Sequence, residues 1–323
     1  MGFTFRRLTD DDLPLLHGWL NEPGVVRWWE GDDVSWDAVA ADYGTNPEER
    51  TEFWIGDLDG EPFGWVQLWL AVDEVEYAQQ CWAAGANHSL GGIDYLVGRA
   101  DLRGQGLGSR MLAAFVERAF AAHPELTQIC AAPNVDNVAS WRALEKAGLR
   151  AIGTVEDKDG PGRLCVVDRP GAPRLRTERA GDEAAIHAVV AAAFPTDAEA
   201  RLVDALREDA DVWLPDLSVV AEDDAGEIVG HVLVSRAHVG DLGVLSLAPL
   251  AVAPAHQRTG VGSALVHEVL ARAEVAGGPL VIVQGDPKYY GRFGFVLAPP
   301  LGYAMQLHFL RRTPRYPSAF DLL

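Results

Sequence analysis

Two stretches, "RGQGLGSRMLAAFVERAF" (Arg103–Phe120) and "QRTGVGSALVHEVLARAE" (Gln257–Glu274), decide how this chain is read. Each passes from a glycine-crowded loop straight into an amphipathic helix, and the two begin 154 positions apart. Their shared form is Arg/Gln-x-x-Gly-x-Gly-Ser. Glycines let a backbone curl close to a ligand and turn its amides toward it. Amides at a helix N-terminus make an anion site, and a pyrophosphate suits one. Arg103 and Arg258 would add positive charge. The loops are neither a Walker P-loop, which needs Gly-Lys-Ser/Thr, nor the dinucleotide G-x-G-x-x-G. A glycine loop that merely caps a helix is the plain alternative; its recurrence in matched context argues against that.

The context is matched over most of the chain. "FTFRRLTDDDLPLLHGWL" reads as a strand, Thr9 as N-cap with acids in the first turn, then an apolar helix. "LRTERAGDEAAIHAVVAAAF" repeats that grammar after "DRPGAPR" (Asp168–Arg174), whose prolines and glycine break all periodicity. Each half then shows strands joined by a turn, at Asp59-Gly60 and at Ala225-Gly226. An apolar strand ("GGIDYLVG"; "VLSLAPLAVAP") leads into each glycine loop, and a further strand ("LTQICAA"; "PLVIVQG") follows each long helix. This is a duplication at domain scale. The expected architecture is α+β, with domains at 1–169 and 175–323 joined by a linker at 170–174.

The 323 residues, 23% charged and 48% hydrophobic, suit a globular two-domain chain. No apolar stretch approaches membrane-span length and the N-terminus has no signal-peptide core, so no membrane partner is expected. Cys81, Cys130 and Cys165 are far apart and odd in number, which suits a reducing cytoplasm better than a disulfide framework. No metal spacing is visible. The net charge of −20 disfavours nucleic acid. Residues 1–170 hold 28 acidic and 14 basic residues, so the acidity concentrates in the first half. Either plain solubility or a polycationic substrate accounts for it.

Both loops resemble the acetyl-CoA pyrophosphate loop of the GNAT N-acetyltransferase superfamily. The resemblance implies two GNAT folds in tandem, each a mixed, splayed sheet that admits the pantetheine arm, with acetyl-CoA as co-substrate. "VVRWWEGDD", "GGIDYLV", "RGQGLGSRML", "PNVDNVASWRALEKAGL" and "LEKAGLRAIGTVEDKDGPGRLCVVDR" resemble the aminoglycoside 6'-N-acetyltransferases in order and spacing. Siderophore-type lysine acyltransferases are the nearest confusable group. "SLAPLAVAPAHQRTGVGSALV", "GDPKYYGRFGF" and the terminal "RYPSAF" resemble the YhbS-like GNAT group.

The resemblance assigns donor binding to Leu96, Val97, Arg103, Gly104, Gln105, Gly106, Gly108, Ser109 and Asn137, and to Leu250, Val252, Gln257, Arg258, Thr259, Gly260, Gly262 and Ser263. Acetyl transfer needs a neutral amine, donors for the oxyanion and stabilisation of the departing thiolate. Strand amides near Tyr95–Val97 and Leu250–Val252 would serve the oxyanion. Asp94, a carboxylate in an apolar strand, is the acidic candidate to hold the acceptor amine or take its proton. A structural aspartate is the alternative. Asp73, Glu74 and Glu76 form an acidic loop that would gather cations, and Trp28, Trp29 and Trp82 offer flat walls for sugars, unless they are solvated or core residues.

Two departures stand out. The family tyrosine that protonates the thiolate aligns with Leu144, and a family aspartate falls in Ala131-Ala132-Pro133. The second half keeps a tyrosine at the acid position, Tyr290, while its base is open among Glu222, His231, Asp286 and water. The leading expectation is 6'-N-acetylation of an aminoglycoside or similar cationic amine, conferring antibiotic resistance. The alternatives are a tandem active only in its second domain, on a natural-product amine, polyamine or protein, and a binder without turnover. Monomer and homodimer are both open.

Overall fold

The structure is a computed structural model. It describes residues 2–29, 33–46, 50–157, 160–278 and 280–297, and the backbone of Phe309–Arg312. The terminal "RYPSAF" lies outside these residues. The chain divides into two compact units, Met1–Ala86 with Leu90–Arg169, and Asn87–Ser89 with Pro170–Leu323.

The first unit runs β1 (Phe3–Arg7), α1 (Leu13–Leu20), α2 (Pro23–Val26), α3 (Trp36–Tyr43), β2 (Glu52–Leu58), β3 (Glu61–Leu70), α4 (Val75–Ala83), β4 (Leu90–Val97), α5 (Leu107–Ala122), β5 (Gln128–Ala131), α6 (Val138–Lys146), β6 (Arg150–Asp157) and β7 (Gly160–Asp168). Its sheet order is β1-β2-β3-β4-β5-β7-β6, antiparallel except at β4–β5. The β2–β3 hairpin turns at Asp59 and Gly60, both with positive φ, the backbone a two-residue turn demands. Residues 73–76, expected as a loop, instead lead into helix α4, with Glu76 in its first turn. Val75, Ala78 and Cys81 recur at helical spacing and are buried, and that apolar stripe outweighs the acids between them.

The second unit runs β8 (Arg174–Thr177), α7 (Glu183–Ala193), α8 (Ala198–Glu208), β9 (Ser218–Glu222), β10 (Ile228–Val239), β11 (Leu242–Val252), α9 (Val261–Val275), β12 (Leu280–Val283), α10 (Pro287–Tyr290), β13 (Val296–Leu297) and β14 (Phe309–Arg312). Arg174, read as linker in the sequence, is already strand. The sheet order is β13-β14-β12-β11-β10-β9-β8, with β11–β12 its parallel pair. Both units are therefore α+β with mixed sheets. The repeat extends to side chains: Arg6 holds Asp12 at 2.6 Å and Arg176 holds Asp182 at 2.6 Å, each pair pinning the first strand to the turn before the first helix.

The parallel pair is short in both units. In the first, β4 meets β5 only at Leu90–Gln128, Gly91–Ile129 and Gly92–Cys130. Beyond Gly92, β4 continues to Val97 against β3 alone while β5 turns to β7. In the second, β11 pairs β12 from Leu245 to Leu247 and then runs on to Val252 against β10. The sheets open at those points.

Candidate active site

At the mouth of each opening lies the glycine loop. Gly104 and Gly106 have φ of 74° and 75°, and Gly106 starts α5 with no side-chain cap on its first-turn amides. Arg258 and Gly260 take the same left-handed path, at 64° and 100°, before an equally uncapped α9. Uncapped amides at the positive end of a long helix suit an anion. The loops are also anchored alike. Arg103 Nε donates to the Val97 carbonyl at 2.8 Å, and Gln257 Nε2 donates to the Val252 carbonyl at 3.1 Å. Arg103 also bonds the Gly98 carbonyl and Glu22, so the guanidinium expected to add positive charge to the loop is engaged at the strand end and paired with a carboxylate. Gln105 turns to the Asp101 carbonyl and Thr259 to the His256 carbonyl. Gly108 sits against Val97, and Gly262 against Val252 and Tyr289, where a Cβ would lie 2.7 Å from the phenol oxygen. Ser109 and Ser263 follow in the first helical turns.

In the first unit a cavity of about 580 Å³ opens beside the split. Trp28, Trp29, Glu74, Asp94 and Asn137, all singled out in the sequence, line it. Asp73 and Trp82 do not: Asp73 pairs with Arg50 at 2.7 Å, and Trp82 packs with Cys81 and Ala84 under the sheet. Asn137 caps α6, its side chain accepting from the Ser140 amide at 3.2 Å. Leu96 is buried against the α1–α3 cluster, and Val97 packs toward α5.

Four carboxylates line the cavity, Asp42, Glu74, Asp94 and Asp157, and no Lys, Arg or His is among its described lining residues. All four are exposed. Asp94 accepts from Gln67 Nε2 at 2.7 Å, which orients it from the neighbouring strand. Aromatic rings make the walls, among them Trp69, which lies across Gly92; a Cβ there would fall 1.9 Å from the indole. Ala131, Ala132 and Pro133 line the site where the family aspartate is missing, and Asp157 on β6 supplies a carboxylate to the same cavity. Burial pushes the Tyr77 phenol up. Cys130 reaches the wall, but its hydrogen bond to Cys81 and its burial hold the thiol well above its ordinary range, so it offers no thiolate nucleophile.

The sequence reading missed Asp42, Tyr43, Gln67, Trp69, Asp157 and the pair Tyr95–Ser140. Gln67 sits opposite Asp94 in the antiparallel β3–β4 register, a pairing across the intervening helix α4 that the sequence does not announce. The others reach the cavity from segments remote in sequence.

Leu144 is fully buried between α5 and the sheet. Tyr290, its counterpart, is also a core residue, 8% exposed, stacked edge-on with Phe295 at 5.7 Å, and burial pushes its phenol up to about 12. Of the open candidates for a base, Glu222 is buried in the grip of Arg174 and Arg176. Burial raises its carboxyl, but those two guanidinium groups outweigh it and hold it low. His231 is wholly buried, and burial drives it down to about 3, with Arg207 adding to the effect. Asp286 is exposed and caps α10 through the Lys288 amide at 2.8 Å. Counting back three and two residues from the equivalent Val97 and Val252, Asp94 corresponds to Pro249 and Tyr95 to Leu250. The second strand therefore offers neither a carboxylate nor a hydroxyl there.

Comparison with known proteins gives the family. Models of the acetyltransferase (GNAT) domain match residues 9–157 and 211–297. The aminoglycoside N(6')-acetyltransferase type 1 of Klebsiella pneumoniae is 33% identical over 178 residues, 54% of this chain and 87% of that protein. The uncharacterized N-acetyltransferase YhbS of Escherichia coli K12 is 38% identical over 151 residues, 46% of this chain and 84% of its own length. A solved structure of AAC(6')-Ib with paromomycin and acetyl-CoA is 33% identical, covering 53% of this chain and 95% of that one at a TM-score of 0.47. The chain belongs to the GNAT acetyltransferase family and carries two of its domains. It is a GNAT N-acetyltransferase whose N-terminal part is similar to the aminoglycoside 6'-acetyltransferases. Among the described residues, no helix is long and apolar enough to cross a membrane.

Proposed function

We propose that the first domain, spanning 1–169, transfers acetyl from acetyl-CoA to the 6'-amine of an aminoglycoside or a similar polycationic amine in the cytoplasm, protecting its host from the drug. The observation that carries this reading is the cavity with four carboxylates and no basic residue among its described walls. A polyamine sugar presents several ammonium groups at spacings that scattered carboxylates meet, and indole faces cover its rings. In this reading Asp94, oriented by Gln67, holds the reacting ammonium and takes its proton. The amides of the Gly104–Ser109 loop hold the pyrophosphate of the donor, and Asn137 stands near its arm. The second domain, 175–323, would bind acetyl-CoA through Gln257–Ser263 and act on a different acceptor. A tandem active only through Tyr290 is less well supported, because its strand carries Pro249 and Leu250 where the first domain has Asp94 and Tyr95 and so offers no carboxylate there for the acceptor amine.

The test is CoA release, read with a thiol reagent, across a panel of aminoglycosides on the full chain. Turnover is expected, and Asp94→Asn should lower kcat/KM about 10–100-fold, the worth of a charge-assisted hydrogen bond. No turnover with any aminoglycoside would refute the assignment.

A further inference from the structure

The family tyrosine is missing from α6, yet a phenol reaches the same helix face from another strand. Side chains alternate along β4. Ile93, Tyr95 and Val97 pack toward α5 and α6, while Leu96, and Asp94 with it, belong to the opposite face. Asp94 and Tyr95 nevertheless line one cavity, because β4 has lost its parallel neighbour beyond Gly92 and the space runs through the sheet. The acceptor carboxylate thus stands on one side of the strand. The phenol stands on the side that carries the glycine loop and α5. Tyr95 Oη donates to the Ser140 carbonyl at 3.2 Å and shares a 2.6 Å hydrogen bond with Ser140 Oγ, which can donate to it when the phenol proton turns from the carbonyl to a CoA sulfur. Ser140 is one helical turn before Leu144, so the hydroxyl is docked on the face of α6 where the family tyrosine would project.

We propose that Tyr95, positioned by Ser140, is the hydrogen-bond donor to the departing CoA sulfur in the first domain, in place of the tyrosine that Leu144 has replaced. This rests on the acetyl-transfer reading above. In the step, the amine nitrogen bonds to the acetyl carbon and the carbon–sulfur bond breaks with its electron pair on sulfur. The nitrogen proton passes to the Asp94 carboxylate and on to water. Sulfur leaves as a thiolate accepting the Tyr95 O–H. Burial holds the phenol well above its ordinary range, with Asp94 and Cys165 adding to the effect against the pull of Ser140. Tyr95 therefore stays protonated and remains a donor throughout the working pH range.

Tyr95→Phe keeps the ring and removes only the donor. In the full chain it should lower kcat about 100-fold while KM for both substrates stays within about threefold. Unchanged kcat would overturn the proposal. A second readout needs no acceptor. CoA is titrated against wild type and Tyr95→Phe by tryptophan fluorescence, at about pH 6.5 and about pH 9.5, either side of an ordinary thiol pKa of roughly 8.5. Nine of the ten tryptophans precede residue 170, so the signal reports the first domain. Affinities should agree within about twofold at the lower pH and differ about tenfold or more at the higher, where the thiolate is bound. Equal ratios at both pH values would overturn the assignment. If the wild type turns over no amine, the function proposed above falls, while these CoA affinities still decide the role of Tyr95.

Discussion

Exchanging the residues at the two left-handed loop positions, Gly104→Ala and Arg258→Gly, tests whether both loops share one backbone path. Both sites lie near φ 70°, at 74° and 64°. An L residue there costs roughly 1–2 kcal/mol. Glycine's greater freedom in the unfolded chain offsets roughly 0.4–1 kcal/mol of that. No steric term enters at Gly104, since a Cβ there meets nothing within 4 Å. Gly104→Ala should therefore destabilise the first domain by about 0.5–1 kcal/mol, and Arg258→Gly should stabilise the second by a similar amount. Urea unfolding of the full chain by tryptophan fluorescence reads the first change, because Trp213 is the only tryptophan after residue 170. Hydrogen exchange across α9 and β12 reads the second. The signs must be opposite. If both substitutions destabilise, the Arg258 backbone is not left-handed, and the case for a second amide cradle of the same shape fails.

Two further outcomes follow from the geometry. Gly262→Ala places a methyl 2.7 Å from the Tyr289 hydroxyl, whereas Gly108→Ala meets Val97 Cγ2 at 3.3 Å. The first should cost about 1–3 kcal/mol and the second under about 1, read as shifts in urea midpoint. His123 is raised to about 9 by its hydrogen bonds to Glu125 and Glu52. A group with a raised folded pKa contributes stability that is complete below its unfolded value, about 6.5, and lost as pH rises through the folded one. The first domain should weaken by about 1 kcal/mol between pH 6.5 and 9 after allowance for solvent screening. In His123→Gln that slope should vanish; a slope unchanged by the substitution would refute the link.

The fold was legible where local chemistry decides structure. Glycine spacing placed both loops, Asp59-Gly60 placed the hairpin, and the repeat of strand, turn and helix exposed the duplication. Asp94 stood out as a charge in an apolar strand, and it lines the cavity, but it is exposed and so bears no burial cost. The rest of the cavity was not legible. Asp42, Trp69 and Asp157 come from a helix, a strand and a hairpin end that only the assembled sheet brings together. Residues 73–76 misled because their acids hide the helical spacing of Val75, Ala78 and Cys81. Tyr95 was read only for its backbone amide, since nothing local to β4 announces that its phenol reaches Ser140 on α6.

The unequal strands behind equal loops bear on inhibition. Arg103 and Gln257 tie their loops to equivalent strand carbonyls, Val97 and Val252, so on the function proposed above a donor mimic that stops at the pyrophosphate would meet the same loop anchor in both domains. On that reading, a bisubstrate compound that reaches further back along the same strand would meet Asp94 and Tyr95 in one domain and Pro249 and Leu250 in the other. On the function proposed above, selectivity between the two halves of this protein would reside in two strand positions, Asp94/Pro249 and Tyr95/Leu250.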